Sequence, residues 1–329
     1  MLASARAFFE NLIDYAGMFP PAKLPMAEAL QNYTRYAAGP GSWMLGRFVC
    51  RTGLLGELES LVKAQGAANA VPVIALGEAL SDAGEFTEKL RVDFEQIEAF
   101  RQDRAIVVDT LETPAPPSLS ADDVAYLASR LNAAQRGVVR QRAFLELPLS
   151  YGWSRDVYHL SFLLAGACDP EARQTIGLKI RCGGTTIPTV EQIAHFIDQC
   201  RETRLLWKAT AGLHHPLRHR AGSGEMTPGA RLQHAAGHRG TTGEMAHGFL
   251  NVFGAGILAH VHKLNVDQLA EVLREESAAA FRFTDDGFAW RDWNCTVDQI
   301  REARQWIPSF GSCSFEEPCE DLRAMGLID

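Results

Sequence analysis

Lys208 interrupts a short apolar run, Leu205 to Trp207, that reads as a buried strand. Gly212 then breaks the pattern, and His214, His215, Arg218 and His219 follow. Burying an ammonium costs several kcal/mol unless it is paired or neutralised. A strand that ends in a lysine and spills into a cationic, histidine-rich loop is therefore a candidate site. Lys179 and Arg181 interrupt a second apolar run, Ile176 to Cys182, and stand two residues apart. In a strand that spacing puts both side chains on one face. Arg47, Asp109, Glu112 and Glu146 interrupt other apolar runs in the same way. Two lysines and an arginine facing one cavity would make an electropositive pocket for a carboxylate or phosphate. Mutual repulsion and desolvation would depress one lysine pKa, leaving a usable amine nucleophile or base. On this reading Lys208 is the nucleophile or base, Lys179 tunes it, and Glu146 carries protons. Arg181, His214, His215, Arg218 and Arg47 hold the anion.

The elements around these residues alternate. Apolar runs at Trp43–Cys50, Val71–Leu76, Ala105–Asp109, Ala143–Pro148 and Ile176–Cys182 read as strands, and the Lys208 segment is a sixth. Helical stretches separate them: Leu54–Gln65, Ala79–Leu90, one opening at the acidic turn Ser120–Asp123, and one from about Pro188 to Cys200. This order predicts a parallel sheet with right-handed crossovers. No G-x-G-x-x-G or G-x-x-x-x-G-K-[ST] motif occurs, which argues against a nucleotide-binding open sheet. A spacing of about 30 residues per unit suits a (β/α)8 TIM-like barrel. Phe249–Phe253 and Ala280–Thr284 complete the predicted strands, although 248–261 also reads as one apolar helix. Residues 1–42 are expected to form an N-terminal helical cap, with an amphipathic helix over 3–15 and a second over 26–36. Asp14 and Tyr15, beside Pro20-Pro21, could approach a ligand but read first as turn-stabilising residues. Residues 43–329 form the expected barrel domain, in which 216–247, rich in Gly, His and Arg, is a long active-site loop.

Lys208-Ala-Thr-Ala-Gly-Leu resembles the Lys-Thr-x-Thr-Gly-Phe segment of deoxyribose-phosphate aldolase, which carries that family's Schiff-base lysine. Gly177-Leu-Lys179 with Gly183-Gly184 resembles the family's second lysine segment, with the order of the two reversed along the chain. The resemblance covers about a dozen residues. It implies class I aldolase chemistry, in which the Schiff-base lysine sits on the sixth barrel strand, and the six strands counted above put Lys208 there.

A metal site is the competing chemistry. Seven of the ten histidines fall between His214 and His260. His214, His215 and His247, with Glu146, could hold one divalent metal ion, and the protein would then be a metal-dependent barrel hydrolase or lyase. His234-Ala-Ala-Gly-His238 lacks the glutamate of H-E-x-x-H. The lysine reading needs no cofactor, and a non-catalytic anion-binding barrel is the third alternative. Cys313, in Gly311-Ser-Cys313-Ser, reads as structural, since no G-x-S-x-G elbow is present.

The whole chain bounds these readings. Its 329 residues, 47 % hydrophobic, suffice for a large core. A net charge of −8 disfavours nucleic acid as a partner, because phosphate binding wants a basic surface. No apolar run reaches the length of a membrane span. The seven cysteines contain no CxxC pair, so reduced thiols and a cytoplasmic location are expected. The expected partner is a small anionic metabolite, and a homo-oligomer is compatible with the composition.

Overall fold

The computed structural model describes residues 1–66, 69–79, 85–100, 104–116, 119–134, 141–149, 152–167, 175–184, 186–220 and 244–329. Eight parallel strands close into a (β/α)8 barrel. In chain order they are β1 (Ile13–Tyr15), β2 (Leu45–Arg51), β3 (Val71–Leu76), β4 (Ile106–Pro114), β5 (Arg142–Glu146), β6 (Ile176–Arg181), β7 (Leu206–Thr210) and β8 (Phe310–Ser312). Each pairs with its sequence neighbour, and β8 pairs with β1 to close the ring. The helices among the described residues are α1 (Ala3–Phe9), α2 (Met26–Ala37), α3 (Leu55–Gln65), α4 (Phe86–Glu98), α5 (Ala121–Ala134), α6 (Trp153–Ala167), α7 (Val190–Thr203), α8 (Phe249–His262), α9 (Val266–Arg274), α10 (Val297–Trp306) and α11 (Glu316–Ala324).

Strand β7 shows how the sequence builds this wall. Trp207 turns outward onto the helical layer, where its ring meets Phe196 of α7 at 5.8 Å and Phe253 of α8 at 5.6 Å between centroids. Lys208, next in sequence, must then point into the barrel. The helix that follows β6 starts cleanly because Thr189 and Gln192 form a capping box at the N-terminus of α7. α1 leads into β1 from the N-terminal end of the barrel. There Phe8 and Phe9 pack on Phe283 and Phe288 of a small antiparallel sheet, 281–283, 287–290 and 293–296. The small sheet lies against α8, where a Cβ on Gly254 would come within 3.3 Å of the Phe288 ring.

Three expectations from the sequence are corrected. Phe249–Phe253 is the first part of α8, because its apolar residues cover the barrel on several sides at once and helical hydrogen bonds satisfy a backbone buried that deeply. Ala280–Thr284 contributes Phe281–Phe283 to the small sheet, outside the barrel. The two missing barrel strands are β1 and β8. Segment 1–42 is thus more than a helical cap: α1 stops at Phe9, Asn11 adopts φ +50°, and the chain re-enters as β1. These two strands are three residues long, too short to show a period, and only pairing with each other, β2 and β7 defines them. With β1 counted, Lys179 lies on the sixth strand and Lys208 on the seventh.

Of the expected active-site loop 216–247, residues 221–243 lie outside the described residues. The described ends pair with each other: His219–Arg220 and Met245–Ala246 form a two-stranded antiparallel ribbon.

Candidate active site

Register brings the site residues together. Glu146, Lys179 and Lys208 are successive lateral partners across β5, β6 and β7. Glu112 reaches the same row from β4, and Asp14 reaches it from β1. The result is a chain of alternating charge. Asp14 Oδ2 accepts from Lys208 Nζ at 2.6 Å. Lys208 also binds Glu112 Oε1 at 2.6 Å, and Lys179 binds Glu112 Oε2 at 2.6 Å. Lys179 then binds Glu146 Oε2 at 2.8 Å, and Arg181 approaches Glu146 Oε1 at 3.3 Å. Side-chain exposure rises from 0 % at Asp14 to 15 % at Glu146 and 46 % at Arg181, so the chain runs from the closed interior toward the C-terminal mouth.

Small residues clear the way for these side chains. Asp14 takes an N–H bond from Arg47 at 2.8 Å on Oδ1, and Ser309 donates its hydroxyl to Oδ2. A Cβ on Gly46 would lie 2.3 Å from Asp14 Oδ1, so glycine is what lets the carboxylate turn inward there. Lys208 Nζ also sits 5.5 Å from the centroid of the Phe144 ring, whose negative face suits a cation. Beyond the lysines, the turns after β6 and β7 touch backbone to backbone. A Cβ on Gly183 would come within 2.6 Å of Gly212 Cα, and Gly212 itself has φ +71°.

The charge balance differs from the sequence expectation. Asp14, Glu112 and Glu146 offset Lys208, Lys179 and Arg181, so the pocket is not net positive. Burial raises the Glu112 pKa, but the ammoniums of Lys179 and Lys208 outweigh it and hold the carboxyl at about 2. Burial likewise opposes the Lys179 charge, but Glu112 and Glu146 outweigh it and raise the pKa above its ordinary value. Lys179 therefore rests as an ammonium. The expected depression assumed that the two lysines faced each other bare, and the carboxylate between them reverses the sign.

The other predicted residues sit around this core with partners of their own. Arg47 clamps Asp109 through two bonds, at 2.6 and 2.7 Å. Asp109 can meet it because the β3–β4 register slips at that residue, a bulge that re-aims the side chain. His214 Nδ1 lies 2.9 Å from Glu317, and His215 Nδ1 lies 2.7 Å from Asp321, one helical turn further along α11. His247 Nε2 donates to the carbonyl of Pro188 at 2.8 Å, and its Nδ1 faces Arg218 at 3.5 Å. Arg218 and His247 line a separate cavity of about 360 Å³ with Glu191 and Arg274. The alternative metal set His214, His215 and His247 is thus dispersed over different partners. Among the described residues no group of three His, Cys, Asp or Glu side chains could hold a metal ion.

Glu112 and Ser309 are participants to which the sequence reading gave no role, and Asp14, expected mainly to stabilise a turn, is a third. Glu112 carried a signal, since it breaks an apolar strand. Asp14 carried almost none, because β1 is three residues long. No family model matches this chain, and no curated protein matches it. Among the described residues no helix is long and apolar enough to cross a membrane, and Cys50, Cys182, Cys200, Cys295, Cys313 and Cys319 are free thiols.

Proposed function

We propose that this protein is a lysine-dependent lyase of the aldolase type, acting on a small carbonyl compound that carries a carboxylate or phosphate. The observation that carries the reading is one buried carboxylate, Glu112, bridging two lysines that are lateral partners on adjacent barrel strands. Such a unit can move a proton between an amine and a carboxylate without importing charge from water.

Lys179, rather than Lys208, is the amine nucleophile in this reading. It is on the sixth strand, the position that the aldolase resemblance implies for the Schiff-base lysine. It is also nearer the mouth: Lys179 leads to Glu146 and Arg181, whereas Lys208 is closed in by Asp14, Ser309 and Phe144. Because Lys179 rests charged, its proton must leave before it can attack. Glu146 is the nearer acceptor to solvent and can pass the proton on. The amine nitrogen then bonds to the carbonyl carbon, the oxygen departs as water after taking two protons, and an iminium remains. That iminium accepts the electron pair of the carbon–carbon bond that breaks. Lys208 and Asp14 keep Glu112 in place throughout. Arg181, exposed at the rim and held only on one side by Glu146, is the group that meets the substrate anion.

Borohydride reduction in the presence of a panel of small carboxylated or phosphorylated aldehydes and ketones tests the reading. Peptide mapping should place a reduced adduct on Lys179. Lys179→Arg should lose the adduct while the fold survives, because a guanidinium stays protonated. Lys208→Arg should still trap. An adduct on Lys208 would reverse the two roles, and no adduct with any member of the panel would remove the Schiff-base mechanism.

A further inference from the structure

His214 has a second neighbour that the lysine chain does not use. β7 and β8 are adjacent, with Phe310 beside Ala209 and Gly311 beside Thr210. The turns that leave them therefore emerge together on the C-terminal rim. His214 lies in the turn after β7, and Cys313 directly follows β8. Sγ of Cys313 is 3.9 Å from His214 Nε2, within reach of a hydrogen bond to sulfur. The other ring nitrogen, Nδ1, is 2.9 Å from Glu317 Oε2. Glu317 stands in the first turn of α11, with its own backbone N–H donated to Ser314 Oγ at 3.3 Å. The imidazole is buried between a thiol and a carboxylate, one on each nitrogen.

We propose that Cys313, His214 and Glu317 form a second chemical centre on the barrel rim: a thiol nucleophile, its base and an orienting carboxylate, built to add to an electrophilic carbon such as that of a carbonyl group. The order of groups is the one nucleophilic catalysis requires, with the base in hydrogen-bond reach of the nucleophile and a third group fixing the ring. Exposure follows the same logic. Cys313 is half-buried, whereas Cys50, Cys182, Cys200, Cys295 and Cys319 are buried. Burial opposes a charge on His214, but Cys313 and Glu317 outweigh it and push its pKa to about 10. In the addition step an electron pair on Sγ forms the bond to carbon. The carbonyl π pair moves onto oxygen, which takes the proton that His214 removed from the thiol. Nothing is oxidised or reduced. The centre does not depend on the lysine chain, and either could fail without the other.

Iodoacetamide is the probe. With it the Sγ–carbon bond forms, the carbon–iodine bond breaks, iodide leaves and the thiol proton passes to His214. Labelling rates, followed by peptide mass mapping on the full chain at neutral pH, should show Cys313 reacting before the other described cysteines and faster than N-acetylcysteine in the same buffer. His214→Gln should slow it roughly tenfold or more, and Glu317→Gln by less. Cys313→Ser should remove the labelled peptide. Glu317→Gln keeps the ring packed, so it separates loss of the relay from loss of the fold. Circular dichroism of each variant checks the fold independently. Cys313 reacting no faster than N-acetylcysteine, or an unchanged rate in a folded His214→Gln chain, would overturn the proposal and leave the cluster as a tie between α11 and the rim.

Discussion

Replacing Glu112 by glutamine removes one negative charge from the centre of the buried chain and leaves its shape nearly unchanged. In the wild type the carboxylate accepts from Lys208 and Lys179, each at 2.6 Å. In the variant one of the two ammoniums must face an amide N–H₂. The carboxyl pKa falls from 4.5 to about 2 on folding, which corresponds to about 3 kcal/mol of stability at neutral pH. Breaking a buried ion pair by removing one partner costs about 3–5 kcal/mol, and the low end applies because Asp14 and Glu146 still hold the lysines. A loss of about 3 kcal/mol should lower the melting temperature by about 4 °C, given an unfolding entropy of roughly 2.1 cal/mol/K per residue. The pH dependence has a definite sign. The folded-state pKa is depressed, so the contribution is complete above pH 4.5 and is lost as the pH falls toward 2. Denaturant titration of both chains at pH 7 gives the difference, and melting curves taken down through pH 4.5 should show it shrinking. A glutamine variant within about 1 kcal/mol of the wild type at pH 7, or a gap that stays constant in acid, would refute the claim that two charged lysines depend on this carboxylate.

Two further perturbations test the surroundings. Gly46→Ala puts a methyl 2.3 Å from Asp14 Oδ1; it should cost about 1–3 kcal/mol of unfolding free energy, and an equally stable alanine chain would show that Asp14 has room to spare. His247 is held neutral by burial first and by Arg218 second, with its pKa lowered from 6.5 to about 4. Its folded-state pKa is depressed, so stability present above pH 6.5 is lost as the pH falls toward 4, by up to about 3 kcal/mol. His247→Gln should flatten that part of the pH–stability curve measured by denaturant titration, and parallel curves for the two chains would rule out His247 as the cause.

Much of the architecture is legible in the sequence because its signal is local. Strands β2 to β7 are apolar runs bounded by turns and helical periods, and a parallel barrel follows from their regular alternation with helices. Lys179, Arg181, Lys208 and Glu146 stand out for the same reason: each interrupts a run in which a charge is costly. The one-strand displacement of Lys208 follows from β1. A three-residue strand shows no alternation, and pairing with β8, nearly 300 residues away in the chain, is what makes it one.

What only the tertiary structure decided is the company each charge keeps. The sequence determined that two lysines point into a barrel, but the sign of the Lys179 pKa shift depends on which residues face it. Asp14 arrives from the first strand and Glu112 from the fourth, and together with Glu146 they turn a predicted field of positive charge into a neutral alternating chain. The histidines behave alike. Their clustering in sequence suggested a shared metal, yet His214 and His215 turn to carboxylates on α11 and His247 to a carbonyl at the start of α7. Hydropathy along a chain reports whether a residue is buried. Electrostatic interaction falls off with distance in space, so the identity of a buried charge's partner is settled only when the barrel closes.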